Sequence, residues 1–238
     1  VNLDSTQTGH LQFGALLFPG MNQADFTGPF EILANVPDST FHVIGRDKSV
    51  VRDARGLILT PQVSIPDAPP LDVLLVPGGG GVNALMEDET VLSFVQRQAA
   101  RAKIVFSVCT GSFVLGAAGL LKGRRATTHW ASHHLLKFFG AIPVNERVVV
   151  DRNIVTAAGV TSGIDGALRV AAMLRDDQAA QAIQLYTQYA PEPPFNSGTP
   201  ETAPPELLQK VRSDIGEILD ARLAIAKRVA ARLGVSAS

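Results

Sequence analysis

"KIVFSVCTGSFVLGAAGLL", residues 103–121, runs from an apolar stretch into small residues across Cys109, the one cysteine among 238 residues. Residues 103–109 have the composition of a buried strand, and the residues from Gly111 onward suit a tightly packed helix. A strand that turns through glycine directly into a helix is the unit of a parallel α/β sheet. It is also the arrangement that lifts a nucleophile above the sheet's carboxyl edge. A thiol there would sit beside a helix N-terminus, whose partial positive charge favours thiolate and lowers the pKa. A lone cysteine also serves as a small buried hydrophobe, so the stretch leaves two readings of Cys109 open.

The same pattern extends outward in both directions. Strands are expected at "LQFGALLF" (11–18), "FHVIGR" (41–46) and "LDVLLVPGGGG" (71–81), the last running into a glycine loop. "TGPFEILANV" (27–36) reads as a helix with Pro29 in its first turn, where the missing N–H does no harm. Pro61 breaks "GLILTPQVSI" (56–65) into a short edge ribbon. Helices are expected over 88–102, 161–175 and 177–190, and a short strand followed by a helix closed by Gly140 over 124–140. "RVVVDRNIVTAAG" (147–159) reads as a hairpin. Near-continuous apolar strands separated by helices imply a mostly parallel sheet with helices on both faces.

After residue 190 the composition changes. "PEPPFNSGTPETAPP" (191–205) is extended and Pro-rich. Beyond it Leu208, Val211, Ile215, Ile218, Leu219, Leu223 and Val229 recur at helical spacing, predicting one long helix over about 205–233 that ends at Gly234. The expected organisation is a loose tail over 1–10, one α/β core over 11–190, and a segment over 191–238 whose helix packs on the core or on a dimer partner.

A net charge of −1 gives no electrostatic support for nucleic-acid binding. No apolar stretch is long enough to span a bilayer, and the first ten residues lack the basic and apolar regions of a signal peptide. One cysteine forms no internal disulfide, which points to a reducing cytoplasm.

Several side chains converge on the edge that Cys109 would occupy. Asp25 follows the first strand in a loop. It would serve as a helix cap or, partly desolvated beside a thiolate, as a carboxyl with a raised pKa that holds a proton. Gly78 and Gly79 lie in "PGGGG" (77–81), which matches neither dinucleotide nor phosphate-loop spacing. Their backbone N–H groups would form a flexible turn or stabilise developing charge on a substrate. Thr110 offers a hydroxyl next to the sulfur. In "THWASHH" (128–134) no acidic third ligand accompanies the histidines, so no metal is expected, and His129 is the one placed to reach Cys109.

Together these stretches resemble the DJ-1/PfpI superfamily and, within it, the isocyanide hydratases. The matching segments are "GALLFPGMNQADFTGPFEIL", "LDVLLVPGGGGVNALMED", "SVCTGSFVLGAAGLLKGRRATTHW", "GAIPVNERVV", "GVTSGIDGAL" and "YAPEPPFNSGTPETAP". The resemblance implies a single-domain, flavodoxin-like sandwich, a homodimer, and no metal or organic cofactor. It also implies a small-molecule isocyanide substrate, attacked by Cys109 with Asp25 as proton carrier and Thr110, Gly78 and Gly79 polarising the reacting centre. Related AraC-type regulators share the Cys109 segment. They carry two further helix-turn-helix units, for which the 36 residues from 203 onward are too few. A DJ-1-like glyoxalase or hydrolase using the same thiolate, and a redox-sensing or ligand-binding protein, are the alternatives.

Overall fold

The computed structural model describes residues 9–236, so residues 1–8 of the expected tail lie outside the described residues. The first half of the chain alternates strand and helix. β1 (Leu11–Leu16) leads to α1 (Ala24–Leu33), then β2 (Ser39–Gly45). A small antiparallel ribbon of β3 (Val51–Arg52) and β4 (Ile58–Leu59) follows, and past Pro61 comes β5 (Val63–Ser64). β6 (Val73–Val76) precedes α2 (Val82–Leu85) and α3 (Glu89–Ala99). Asp88 starts α3 by accepting from the Thr90 and Val91 N–H groups, two donors the helix leaves unpaired.

β7 (Ile104–Val108) enters a 3-10 turn at Cys109–Gly111 and continues into α4 (Ser112–Ala117). β8 (Arg125–Ala126) pairs with β9 (Ile142–Pro143) around a 3-10 segment at Trp130–Phe139. An α-helix was the expectation there. Trp, His and Phe rings lose side-chain freedom against a preceding α-turn, and this stretch is built from them. β10 (Val148–Asp151) and β11 (Ile154–Ala157) form the expected hairpin, followed by α5 (Ser162–Leu174) and α6 (Asp177–Tyr186).

The main sheet has the order β10-β11-β7-β6-β1-β2-β5, parallel throughout except for β10. β1, β6 and β7 are apolar and almost wholly buried, because helices cover both faces. α1 packs on α5 and α5 on α6, while α2, α3 and α4 associate separately. From β1 the chain goes to β2 on one side and later to β6 on the other. That reversal is a topological switch point, where the carboxyl ends of adjacent strands open a crevice. Parallel register aligns Ala15 with Leu75, and Val76 with Ser107, so the loops after β1, β6 and β7 emerge together.

Two elements depart from expectation. α1 begins at Ala24, so Asp25 is in its first turn rather than in a loop, and Pro29 lies inside the helix. The Asp25 carbonyl, four residues before Pro29, meets no N–H there. The long helix over 205–233 is two helices, α7 (Pro205–Asp214) and α8 (Gly216–Leu233), broken at Ile215 just before Gly216. A glycine costs about 1 kcal/mol inside a helix, and α7 buries no residue that would hold it in line. α8 instead packs on the Trp130–Phe139 segment and α2 of its own chain.

Candidate active site

Cys109 occupies the sharpest point of the strand-to-helix turn, with φ at +55°. Left-handed backbone at a non-glycine residue costs about 1–3 kcal/mol and persists only where surrounding bonds impose it. Here the Cys109 carbonyl accepts from the Thr128 hydroxyl at 2.9 Å and from the Ser112 hydroxyl at 3.3 Å. The strain aims the sulfur into the crevice.

Asp25 is fully buried and comes to the same point from α1. Its Oδ2 accepts from the Gly78 N–H at 3.0 Å, and the carboxyl meets the Cys109 thiol. Oδ1 is buried with no conventional hydrogen-bond partner among the described residues. Only glycine fits at 78: a Cβ there would stand 2.6 Å from the Thr110 nitrogen and 2.8 Å from Asp25 Oδ2. The next residue, Gly79, has φ at +124°, and its N–H donates to Thr110 Oγ1 at 3.0 Å. Thr110 Oγ–H returns a bond to the Gly79 carbonyl at 3.2 Å.

The two glycine N–H groups expected to face a substrate already have partners in the resting site. The Gly78 N–H is committed to Asp25 and the Gly79 N–H to Thr110, so neither points free toward a substrate. A buried carboxylate and a hydroxyl close to the loop compete successfully for donors that would otherwise be idle.

Electrostatics revise the expectation for sulfur as well. Burial pushes the Cys109 thiol well above its ordinary value, and the neighbouring Asp25 carboxylate pushes it further, against the pull of the Thr110 N–H and Arg222. The following helix, α4, has only six residues, and its terminus does not overcome these effects. Burial likewise raises Asp25, from 3.8 to about 7, against the Gly78 and Cys109 hydrogen bonds. Two acids in one dry site cannot both ionise cheaply. Over a wide range above pH 7 the pair therefore holds one proton between oxygen and sulfur.

His129 lines the same cavity without bonding to Cys109. Its Nδ1 accepts from the Ala131 N–H at 3.4 Å, starting the Trp130–Phe139 segment. Burial and Arg222 lower its pKa, which keeps the ring neutral near pH 7. Among the described residues, no group of three His, Cys, Asp or Glu side chains is placed to hold a metal ion.

The cavity above Cys109 measures about 370 Å³, within the span typical of small-molecule sites. Its floor carries Cys109 and Thr110, and its apolar wall is Ile215, Ile218 and Leu219 from the α7–α8 junction. The break at Ile215 thus belongs to the site. Arg222, one turn beyond, also lines the cavity and is 5% exposed. The sequence carries a sign of this: Arg222 shares the buried face of α8 with Ala226, Val229 and Ala230, where a cation is out of place.

A family comparison matches residues 15–173 to the DJ-1/PfpI family. The chain belongs to the DJ-1/PfpI family. Among its relatives, the isonitrile hydratase of Pseudomonas putida is 51% identical over 225 residues, covering 94% of this chain and 99% of that protein. A solved THiJ/PfpI family protein from Pseudomonas syringae superposes with a TM-score of 0.89 at 40% identity, covering 92% of this chain and 91% of the other. The HTH-type transcriptional regulator GbdR of Pseudomonas aeruginosa is 33% identical over 127 residues, which cover 52% of this chain and 34% of the regulator. The regulator thus shares part of this fold, whereas the hydratase corresponds along nearly the entire length.

Proposed function

We propose that this protein is an isocyanide hydratase, a cysteine-dependent hydro-lyase converting R–N≡C and water to the formamide R–NH–CHO. The observation that carries the choice of reaction is 51% identity to the Pseudomonas putida isonitrile hydratase over 94% of the chain. The paired Cys109 and Asp25 under an apolar-walled cavity supply a matching chemistry.

The terminal carbon of an isocyanide accepts a soft nucleophile, and sulfur is the softest a side chain offers. The shared proton passes to Asp25 as the Cys109 sulfur bonds to that carbon. Asp25 then delivers this proton to the same carbon, giving the thioimidate R–N=CH–S–Cys109 and a carboxylate. Water adds to the C=N carbon, with one water proton reaching nitrogen through Asp25. The resulting R–NH–CH(OH)–S–Cys109 collapses: its hydroxyl proton goes to Asp25, the C=O forms and the C–S bond breaks. The formamide leaves and the pair again holds one proton. Thr110, fixed by two bonds to Gly79, presents its hydroxyl beside the reacting centre. Gly78 acts by orienting Asp25, and His129 contributes a neutral wall.

The substrate's R group is held by Ile215, Ile218 and Leu219, so it is apolar and small enough for the cavity. The active form is read as a homodimer, and the exposed apolar side chains Val50, Leu57 and Ile58 around the β3–β4 ribbon offer a surface that supports it. No described helix is long and apolar enough to cross a membrane, and a lone catalytic thiol suits a reducing cytoplasm.

The test is turnover of cyclohexyl and p-nitrophenyl isocyanide by purified protein, with methylglyoxal in parallel. We expect formamide from both isocyanides, no lactate, and no turnover by Cys109→Ser. Absence of formamide, or full activity in Cys109→Ser, overturns the reading.

A further inference from the structure

Arg222 is buried, and among the described residues no carboxylate lies within ion-pair reach of it. Its fork instead grips neutral groups: Nε donates to Asn83 Oδ1 at 2.9 Å, Nη1 to Ser132 Oγ at 2.9 Å and Nη2 to the Gly79 carbonyl at 3.2 Å. The guanidinium also stands over the Phe113 ring at 5.8 Å. Neutral acceptors orient a buried cation without neutralising it, and an uncompensated buried charge is costly unless an anion shares the site. The anion available is the single negative charge of the Asp25–Cys109 pair. Arg222 lines the cavity into which Cys109 points, and its electrostatic coupling is to the sulfur; Asp25 is governed by burial, Gly78 and Cys109.

Resting on the hydratase reading for its role in turnover, we propose that Arg222 is a positioning residue that draws the pair's negative charge onto the Cys109 sulfur and so leaves the shared proton on Asp25. That is the arrangement in which sulfur attacks and Asp25 protonates carbon. The bonds to Asn83, Ser132 and Gly79 hold the guanidinium at the cavity wall, and the Gly79 bond ties it to the loop whose neighbour, Gly78, orients Asp25. The other ionisable groups facing the cavity are Arg55 and His129. His129 stays neutral there, held so by burial and Arg222. Arg222 lies beyond residues 15–173 that the family pattern covers, so α8 adds this charge, along with the apolar wall, to a Cys109–Asp25 pair built within the shared core.

The experiment reads the thiol without substrate, by iodoacetamide alkylation of Cys109 between pH 5 and 10 in wild type, Arg222→Met, Arg222→Gln and Arg222→Lys. We expect the wild-type rate to rise through about pH 7, where the Asp25–Cys109 pair gives up the first of its two protons, and then to level off. In Arg222→Met the level at pH 8 falls at least about tenfold, the change in ionised fraction that one pKa unit makes. Arg222→Lys retains most of the wild-type level, because it keeps the charge while losing the fork. A guanidinium needed only to staple α8 would leave the pH profile of Arg222→Met unchanged, or would fail in Arg222→Lys as badly as in Arg222→Gln; either result overturns the proposal. Should Arg222→Met not fold, Arg222→Gln against Arg222→Lys makes the same comparison. A normal alkylation profile in a wild type that hydrates no isocyanide would remove the hydratase reading and leave the charge placement standing.

Discussion

Replacing Asp25 by Asn should remove a specific pH dependence of stability. The carboxyl is fully buried and its pKa rises from 3.8 to about 7 in the native state. Below 3.8 native and unfolded chains both hold the proton, and the contribution is level. Between 3.8 and about 7 the unfolded chain has released it while the native pair has not, so unfolding releases a proton and stability falls as pH rises. At about 1.4 kcal/mol per pH unit, the full loss is about 4 kcal/mol, complete above pH 7 whichever atom of the pair then carries the charge. Asn keeps an oxygen for the Gly78 N–H, and any bond it makes or loses contributes equally at every pH. The assay is urea unfolding of both proteins at pH 4, 5, 6, 7 and 8, with stability from midpoint and slope. The wild-type stability minus that of Asp25→Asn should fall by about 4 kcal/mol from pH 4 to pH 8, most steeply below 7. A difference constant to within about 1 kcal/mol across that range would show that Asp25 ionises as freely in the native site as in water.

Gly78→Ala places a Cβ 2.6 Å from the Thr110 nitrogen and 2.8 Å from Asp25 Oδ2. Backbone at Thr110 cannot yield, so we expect a loss of about 1–3 kcal/mol in urea unfolding. Displacement of Asp25 should also lower kcat/KM for cyclohexyl isocyanide by about 100-fold; unchanged activity would mean that the glycine loop does not position the acid. Ile218→Phe narrows the cavity wall that α8 supplies. Its kcat/KM should fall for cyclohexyl isocyanide by about tenfold relative to methyl isocyanide, and an equal effect on both would place the R group elsewhere.

The fold was readable where one physical cause dominates. Residues 73–76 and 104–108 are apolar nearly without interruption, a pattern that fits strands buried on both faces, and Asp88 marks the start of α3 by its own chemistry. The meeting of Asp25, Thr110 and Cys109 followed from topology, since loops after parallel strands emerge at one edge. What the pattern could not show was competition for the same donors. Gly78 and Gly79 offer N–H groups to a substrate until Asp25 and Thr110 take them. The thiol's pKa depends on how dry the turn is and on where Asp25 stands, and both are tertiary facts. The break at Ile215 leaves no mark in the sequence, because the apolar spacing continues through it. Arg222 is hidden from the same pattern, because apolar periodicity carries no signal from the one cation on the helix's buried face.

Covalent chemistry at Cys109 is most directly tested by quenching the enzyme in acid during turnover of cyclohexyl isocyanide and weighing the peptide that contains Cys109. We expect an adduct of the isocyanide's full mass on that peptide, appearing and decaying at the rate of formamide release. Steady formamide production with Cys109 unmodified at every quench time would contradict attack by sulfur.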